Sequence, residues 1–165
     1  MIILGIDPSL RSTGFGVVEV RGNQMSALCH GCIQNPPRVL PSRCLVRIGA
    51  EIKKLIEDHR PDAVAIEGLV YVQNTRIAFT LGQVRGVVIA AAASADLPIY
   101  EYAPRKVKQS VTGLGGAGKT QVGNMVKAML GLAEIPQADA GDALALAICH
   151  AHNSRGAQIK PPKQI

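Results

Sequence analysis

The apolar positions change their period along the chain. Met1-Ile2-Ile3-Leu4-Gly5-Ile6 forms an unbroken apolar block that stops at Asp7. Gly14 to Val20 and roughly Met25 to Ile33 are further blocks of strand length, separated by the turn-forming Arg21-Gly22-Asn23-Gln24. An antiparallel meander is the simplest arrangement of these three. Between Val39 and His59 the period becomes helical, with Leu45, Ile48, Ile52, Leu55 and Ile56 on one face and Lys and Glu on the other. Pro61-Asp62 then leads into a fourth strand, Ala63-Val64-Ala65-Ile66, closed by Glu67.

A second helix is predicted from about Asn74 to Ala93, where Gly82, Gly86 and Ala90 to Ala93 offer a small-residue face for the sheet or for another subunit. Leu97 to Tyr102 reads as a fifth strand, and Pro104 opens a basic helical segment, Arg105-Lys106-Val107-Lys108-Gln109. A Gly-rich loop, a helix from Lys119 to Leu130 and an amphipathic helix from Asp139 to His152 complete the pattern. Three strands followed by strands alternating with helices predict an α/β fold: a mixed five-stranded sheet covered by helices. One domain is expected over 1–155, with the polar, proline-containing 156–165 as a disordered tail.

At 165 residues the chain suits one domain with its own core, and with 47% hydrophobic but only 3% aromatic residues that core must be aliphatic. A net charge of +6 favours a polyanionic partner. The four cysteines are irregularly spaced in a chain without a signal peptide, so a reducing cytoplasm is expected rather than a disulfide framework. Cys29-His30-Gly31-Cys32 has a metal-knuckle spacing but no second ligand pair, which favours an ordinary strand. The longest apolar stretch, Val87 to Ala93, is too short to span a bilayer.

Four carboxylates carry the chemistry. Asp7 and Glu67 each close an apolar strand, and Asp139 and Asp142 lie three apart on one helix face. Taken singly, each has a turn, cap or surface explanation. Together they suit a divalent-metal site, because hard cations such as Mg²⁺ or Mn²⁺ take carboxylate oxygens and leave positions for phosphate and water. Metal-assisted phosphodiester hydrolysis is the chemistry suggested, and such a cluster is costly without cations.

Gly113-Leu114-Gly115-Gly116-Ala117-Gly118-Lys119-Thr120 also satisfies the phosphate-loop pattern of an NTPase. That pattern requires a buried strand immediately before it, whereas Lys106 to Thr112 is basic, polar and helical in character. Lys119 is then available to a DNA phosphate. Arg105, Lys106 and Lys108 could likewise set positive charge beside a metal-bound phosphodiester, or form a solvated face. Leu69-Val70-Tyr71-Val72-Gln73 could contact bases, or be a buried loop. His150 and His152 receive no role.

Gly5-Ile6-Asp7-Pro8, Ala65-Ile66-Glu67, Leu81-Gly82-Gln83-Val84-Arg85-Gly86, Val107-Lys108-Gln109 and Gln137 to Ala145 resemble the RuvC family of Holliday-junction endonucleases, in unbroken order over about residues 1 to 153. The resemblance implies an RNase H-like fold, with Asp7, Glu67, Asp139 and Asp142 as catalytic Mg²⁺ ligands. It also implies Lys108 and Lys119 beside the DNA backbone, a homodimer joined through the Gly82–Gly86 helix, and work alongside the RuvA and RuvB branch-migration complex. Paired symmetric nicking of four-way junctions, in recombination and repair, would use two metal ions per site. Two positions depart from the family pattern: Ser9 replaces a usual Gly, and Val70 replaces a usual aromatic. The second leaves base stacking to Tyr71 or weakens junction distortion. Two readings stand as alternatives, a non-catalytic branched-DNA-binding module and the phosphate-loop NTPase.

Overall fold

The computed structural model describes residues 1–68, 74–155 and 163–165. Its elements are β1 (Ile2–Asp7), β2 (Ser12–Arg21), β3 (Gln24–Gln34), α1 (Pro41–His59), β4 (Ala63–Glu67), α2 (Thr75–Ala93), β5 (Ile99–Tyr102), α3 (Pro104–Thr112), α4 (Lys119–Leu130), α5 (Ala138–Arg155) and β6 (Lys163–Gln164). The sheet order is β3-β2-β1-β4-β5-β6. The expected meander is present, with β1, β2 and β3 antiparallel, and β4 and β5 then add parallel to β1.

The sheet has six strands rather than the five expected. The extra strand comes from the segment read as a disordered tail: Tyr100 pairs with Gln164 and Glu101 with Lys163. Two polar residues carry no alternation, so the strand exists through the free edge of β5 and leaves no signal in its own composition.

Each face of the sheet has its own core. On one side Ile48, Ile52 and Ile56 of α1 and Val84 and Val88 of α2 pack on Leu4, Ile6, Val64 and Ile66. On the other, Leu144, Ala147 and Ile148 of α5 join Val107, Val111, Val122 and Val126 against Ile3, Val18 and Ala65. Alternate residues of the central strands thus serve opposite layers, as the pleat requires. Pro41 opens α1, and left-handed Arg60 ends it by donating its backbone N–H to the Ile56 carbonyl. Asn74 caps α2 by accepting from the N–H groups of Arg76 and Ile77.

As a 19-residue helix, α2 is long and apolar enough, by length and composition, to cross a membrane, which the run Val87 to Ala93 alone is not. Its apolar character has a packing explanation on the inner side. Val87 meets Gly49 of α1, where a Cβ would lie 3.1 Å from a Val87 methyl. Arg85 is buried in its middle and ion-paired.

All four cysteines are free. Cys29 and Cys32 lie on β3 opposite Val17 and Gly14, an odd offset that sends their side chains to opposite faces. Cys29 Sγ instead lies 3.2 Å from His59 Nε2 at the end of α1.

Candidate active site

Asp7 and Glu67 end two neighbouring parallel strands whose partners in register include Ile6 and Ile66, so both carboxylates leave the sheet side by side. The acidic helix α5 reaches them because small residues let it lie directly on the sheet. A Cβ at Gly5 would collide with the Ala143 carbonyl, and one at Gly14 with the Asp139 carbonyl. At Gly16 it would lie 2.6 Å from Leu144. These approaches set Asp139 and Asp142, in the first turns of α5, beside the end of β1.

Asp7, Glu67 and Asp142 line one cleft of about 360 Å³ together with Lys108, Lys119 and the apolar Val107, Val122 and Leu146. Burial and the neighbouring charges of Glu67, Asp142 and Asp139 push the Asp7 carboxyl up to about 7, with Lys119 opposing. Glu67 is raised by burial and then by Asp142, against Lys119, Lys108 and Arg85. Asp142 is raised mainly by burial, while Lys119 pulls the other way.

Asp139 faces Asp7 and Asp142 electrostatically but does not line the cleft. Its Oδ2 accepts from the Ser12 hydroxyl, which in turn accepts from Gln34 Nε2 at 3.0 Å. Among the described residues, no three His, Cys, Asp or Glu side chains close around a single ion. The donor set still fits magnesium, which commonly takes one or two carboxylates with water and substrate phosphate completing the shell. The mutual repulsion of these carboxylates is what a dication relieves.

The basic residues divide. Lys108 and Lys119 face the cleft, and Lys119 Nζ lies 3.8 Å from Asp142 Oδ2. Lys106 instead sits 5.6 Å over the Tyr102 ring, and the Arg105 stem covers Gly115, so neither lines the cleft. Tyr71 and Val70 lie outside the described residues.

The Gly-rich loop joins α3 to α4, so the element immediately before it is a helix and not a strand. The phosphate-loop arrangement therefore lacks its β-strand, and the motif supplies a helix start that presents Lys119 to the carboxylates.

Sequence reasoning missed three groups around the site. Ser12 holds Asp139 from 127 positions away. The guanidinium of Arg85 donates to the Glu67 carbonyl and pairs with Glu101. His150, given no role, accepts or donates at 2.7 Å with the buried Tyr102 hydroxyl, tying α5 to the strand beside Glu67. A lone arginine amid apolar helix positions was the one available signal for any of these.

The family model described as crossover junction endodeoxyribonuclease RuvC matches residues 3–150. A RuvC of that description from Proteus mirabilis is 51% identical over 165 residues, covering 99% of this chain and 95% of the relative. The one from Pelotomaculum thermopropionicum is 48% identical over 154 residues, covering 93% and 94%. Among solved structures, T. thermophilus RuvC in complex with Holliday junction substrate superposes with a TM-score of 0.92 at 34% identity, over 100% of this chain and 99% of that one. The shared architecture is the RNase H-like fold, a mixed sheet flanked by helices. Matched from Ile3 to His150 and about half identical to these relatives, the chain belongs to the RuvC family of crossover junction endodeoxyribonucleases.

Proposed function

We propose that this chain resolves four-way (Holliday) DNA junctions, nicking two opposing strands symmetrically by metal-assisted phosphodiester hydrolysis in recombination and repair. The observation that carries the reading is the convergence of Asp7, Glu67 and Asp142 from three separate elements on one cleft, with Lys108 and Lys119 at its wall.

Asp7, Glu67, Asp139 and Asp142 would hold the Mg²⁺ ions, two per site, with Mn²⁺ able to substitute. Metal bound there would supply Lewis-acid activation of water and of the leaving 3′-oxygen, the chemistry of hydrolysis to 5′-phosphate and 3′-hydroxyl ends. Lys108 and Lys119 orient the scissile phosphate and offset its charge. Ser12 fixes the orientation of the Asp139 carboxylate through its hydroxyl. Arg105 and Tyr71 add further DNA contacts.

Two cuts need two sites, and the outer face of α2 supports a homodimer. Phe79 is 76% exposed on the same side of the helix as Gly82 and Gly86, where an added Cβ would meet nothing. Large exposed apolar side chains next to small ones are what a close helix–helix contact uses. Action in a reducing cytoplasm is supported by the four free cysteines, and work alongside RuvA and RuvB by the family resemblance.

The test is cleavage of an end-labelled synthetic four-way junction and a matched linear duplex, each with Mg²⁺ and with EDTA. Paired symmetric nicks restricted to the junction and to Mg²⁺ are expected. Junction binding without any cut in either metal would instead mark a non-catalytic branched-DNA-binding module.

A further inference from the structure

Arg85 is 6% exposed in the middle of α2, on the side of that helix facing the sheet. A buried guanidinium is tolerated only when its donors are satisfied, and an apolar side chain there would serve packing as well or better. Its donors have two specific destinations. Nη1 donates to the backbone carbonyl of Glu67, and Nη2 lies 2.7 Å from Glu101 Oε2.

Glu101 stands in register beside Ile66 on the neighbouring strand, and Lys163 Nζ of β6 lies 3.6 Å from the same carboxylate oxygen. Its side chain also closes over Gly68, where a Cβ would fall 3.1 Å from Oε1 and 3.2 Å from Cγ. The Gly68 N–H donates to the Tyr102 carbonyl at 2.8 Å, so the backbone on both sides of the Glu67 peptide is held.

We propose that Arg85 is a positioning residue: with Glu101 it clamps the Glu67 backbone to α2, so that the aim of the Glu67 carboxylate, and divalent-ion binding with it, depends on how α2 is seated. The proposal rests on the reading of Glu67 as a metal ligand given above. Because the opposite face of α2 is the one offered to a second subunit, the clamp also joins that face to the cleft through a single side chain.

The geometry distinguishes this from a merely structural ion pair. Arg85 grips the main chain of the residue whose carboxylate enters the cleft, and among the described residues its side-chain hydrogen bonds go to that carbonyl and to Glu101, which does not line the cleft. Partners that orient metal ligands from outside the coordination shell alter metal affinity or activity by about 10- to 100-fold when removed.

The test compares wild type with Arg85→Met, Arg85→Lys and Glu101→Gln. Mn²⁺ binding without DNA is followed by electron paramagnetic resonance, alongside single-turnover junction cleavage at saturating protein, junction affinity in EDTA, and thermal unfolding. Arg85→Met is expected to weaken Mn²⁺ binding and slow cleavage by about 10- to 100-fold at unchanged junction affinity. Arg85→Lys, which reaches one partner but not both, and Glu101→Gln should lose less. Wild-type Mn²⁺ affinity in a folded Arg85→Met overturns the proposal. If that variant does not fold, wild-type affinity in both Arg85→Lys and Glu101→Gln does so. Loss of junction affinity in step with cleavage would reduce Arg85 to a structural residue and overturn it too. A wild-type protein that binds Mn²⁺ yet never cuts a junction defeats the nuclease reading instead, and the Mn²⁺ series still decides the role of Arg85.

Discussion

Lys119 Nζ stands 3.8 Å from Asp142 Oδ2, so the lysine of the Gly-rich loop is directed at the carboxylate cleft. The lysine side chain is 78% exposed, which makes the pair weak as a source of stability. Its consequence lies in placement: the ammonium sits where a phosphodiester entering the cleft would pass. Lys119→Met should therefore lower junction cleavage by about a hundredfold, the scale for removing one preorganised partner of a charged transition state, with little change in melting temperature. Single-turnover cleavage checks this. Titration with ATP to millimolar concentration should show no binding in either protein, and ATP binding lost in the variant would restore the NTPase reading.

Asp7 yields a prediction in pH. Its folded-state carboxyl is raised from 3.8 to about 7, so the folded protein retains a proton that the unfolded chain has released. The stability from this group is fully present below about pH 4 and is lost as pH rises toward and through 7. Asp7→Asn removes that dependence. Without divalent ions at pH 8 it should melt above wild type, by about 1 to 2 kcal/mol once the partial solvent exposure of the carboxyl is discounted. The gap should narrow at pH 5 and again when Mg²⁺ is added at pH 8. Cleavage should fall more than about a hundredfold, beyond the loss typical of residues outside the coordination shell, while junction binding persists. Near wild-type cleavage would remove Asp7 from the metal site.

Gly14 tests the contact that brings α5 to the sheet. A methyl there would collide with the Asp139 carbonyl, and backbone has no rotamer with which to yield. Gly14→Ala should destabilise by about 1 to 3 kcal/mol, the usual range for overpacking a filled interior. Cleavage should fall further than stability alone explains, because α5 carries Asp139 and Asp142. Gly22→Ala is a poor control because of the positive φ of 56° at that glycine, whereas Gly116→Ala, in open space, should leave both properties near wild type.

Most of the architecture was legible because each element announces itself by local periodicity. Ile48, Ile52 and Ile56 predicted α1, and all three are buried. Asp7 and Glu67 could be placed because an apolar run ending in an acid has few ways to sit in a sheet. What escaped depends on distant pairing. Ser12 and Asp139 are 127 residues apart, and Arg85 and Glu101 meet only because α2 folds back over β4 and β5. Lys163–Gln164 is too short to carry a pattern, so only the edge of β5 reveals it as a strand. The basic segment of α3 looked uniform in sequence, yet helical rotation turns Lys106 away from the cleft that Lys108 lines, and Arg105, one turn before Lys108, lays its stem on Gly115 instead.

Ser12 offers a prediction confined to one carboxylate. Its hydroxyl donates to Asp139 Oδ2 while accepting from Gln34, so Ser12→Ala frees the acid to rotate and leaves the backbone of β2 unchanged. Mn²⁺ binding should weaken by about tenfold, the lower end of the range for a partner beyond the coordination shell. Gln34→Ala should follow in the same direction with a smaller effect, because it acts through Ser12. A Ser12→Ala protein with wild-type Mn²⁺ affinity would show that Asp139 is held adequately by α5 alone.

The outer face of α2 leads to a prediction about assembly. Phe79 is 76% exposed at the edge of a cleft shared with Thr75, Ala78, Gly82 and Gln83. An aromatic beside a glycine on an open helix face is the arrangement that a second helix fills, and such anchors often contribute 2 kcal/mol or more to association, roughly a thirtyfold change in dissociation constant. Phe79→Asp should therefore shift a dimer toward monomer at micromolar concentration in sedimentation velocity, with the monomer's melting transition retained. Junction cleavage should then become single and unpaired on the two opposing strands, since one cleft cannot reach both. A Phe79→Asp protein that stays dimeric and cuts in pairs would move the subunit contact to another face.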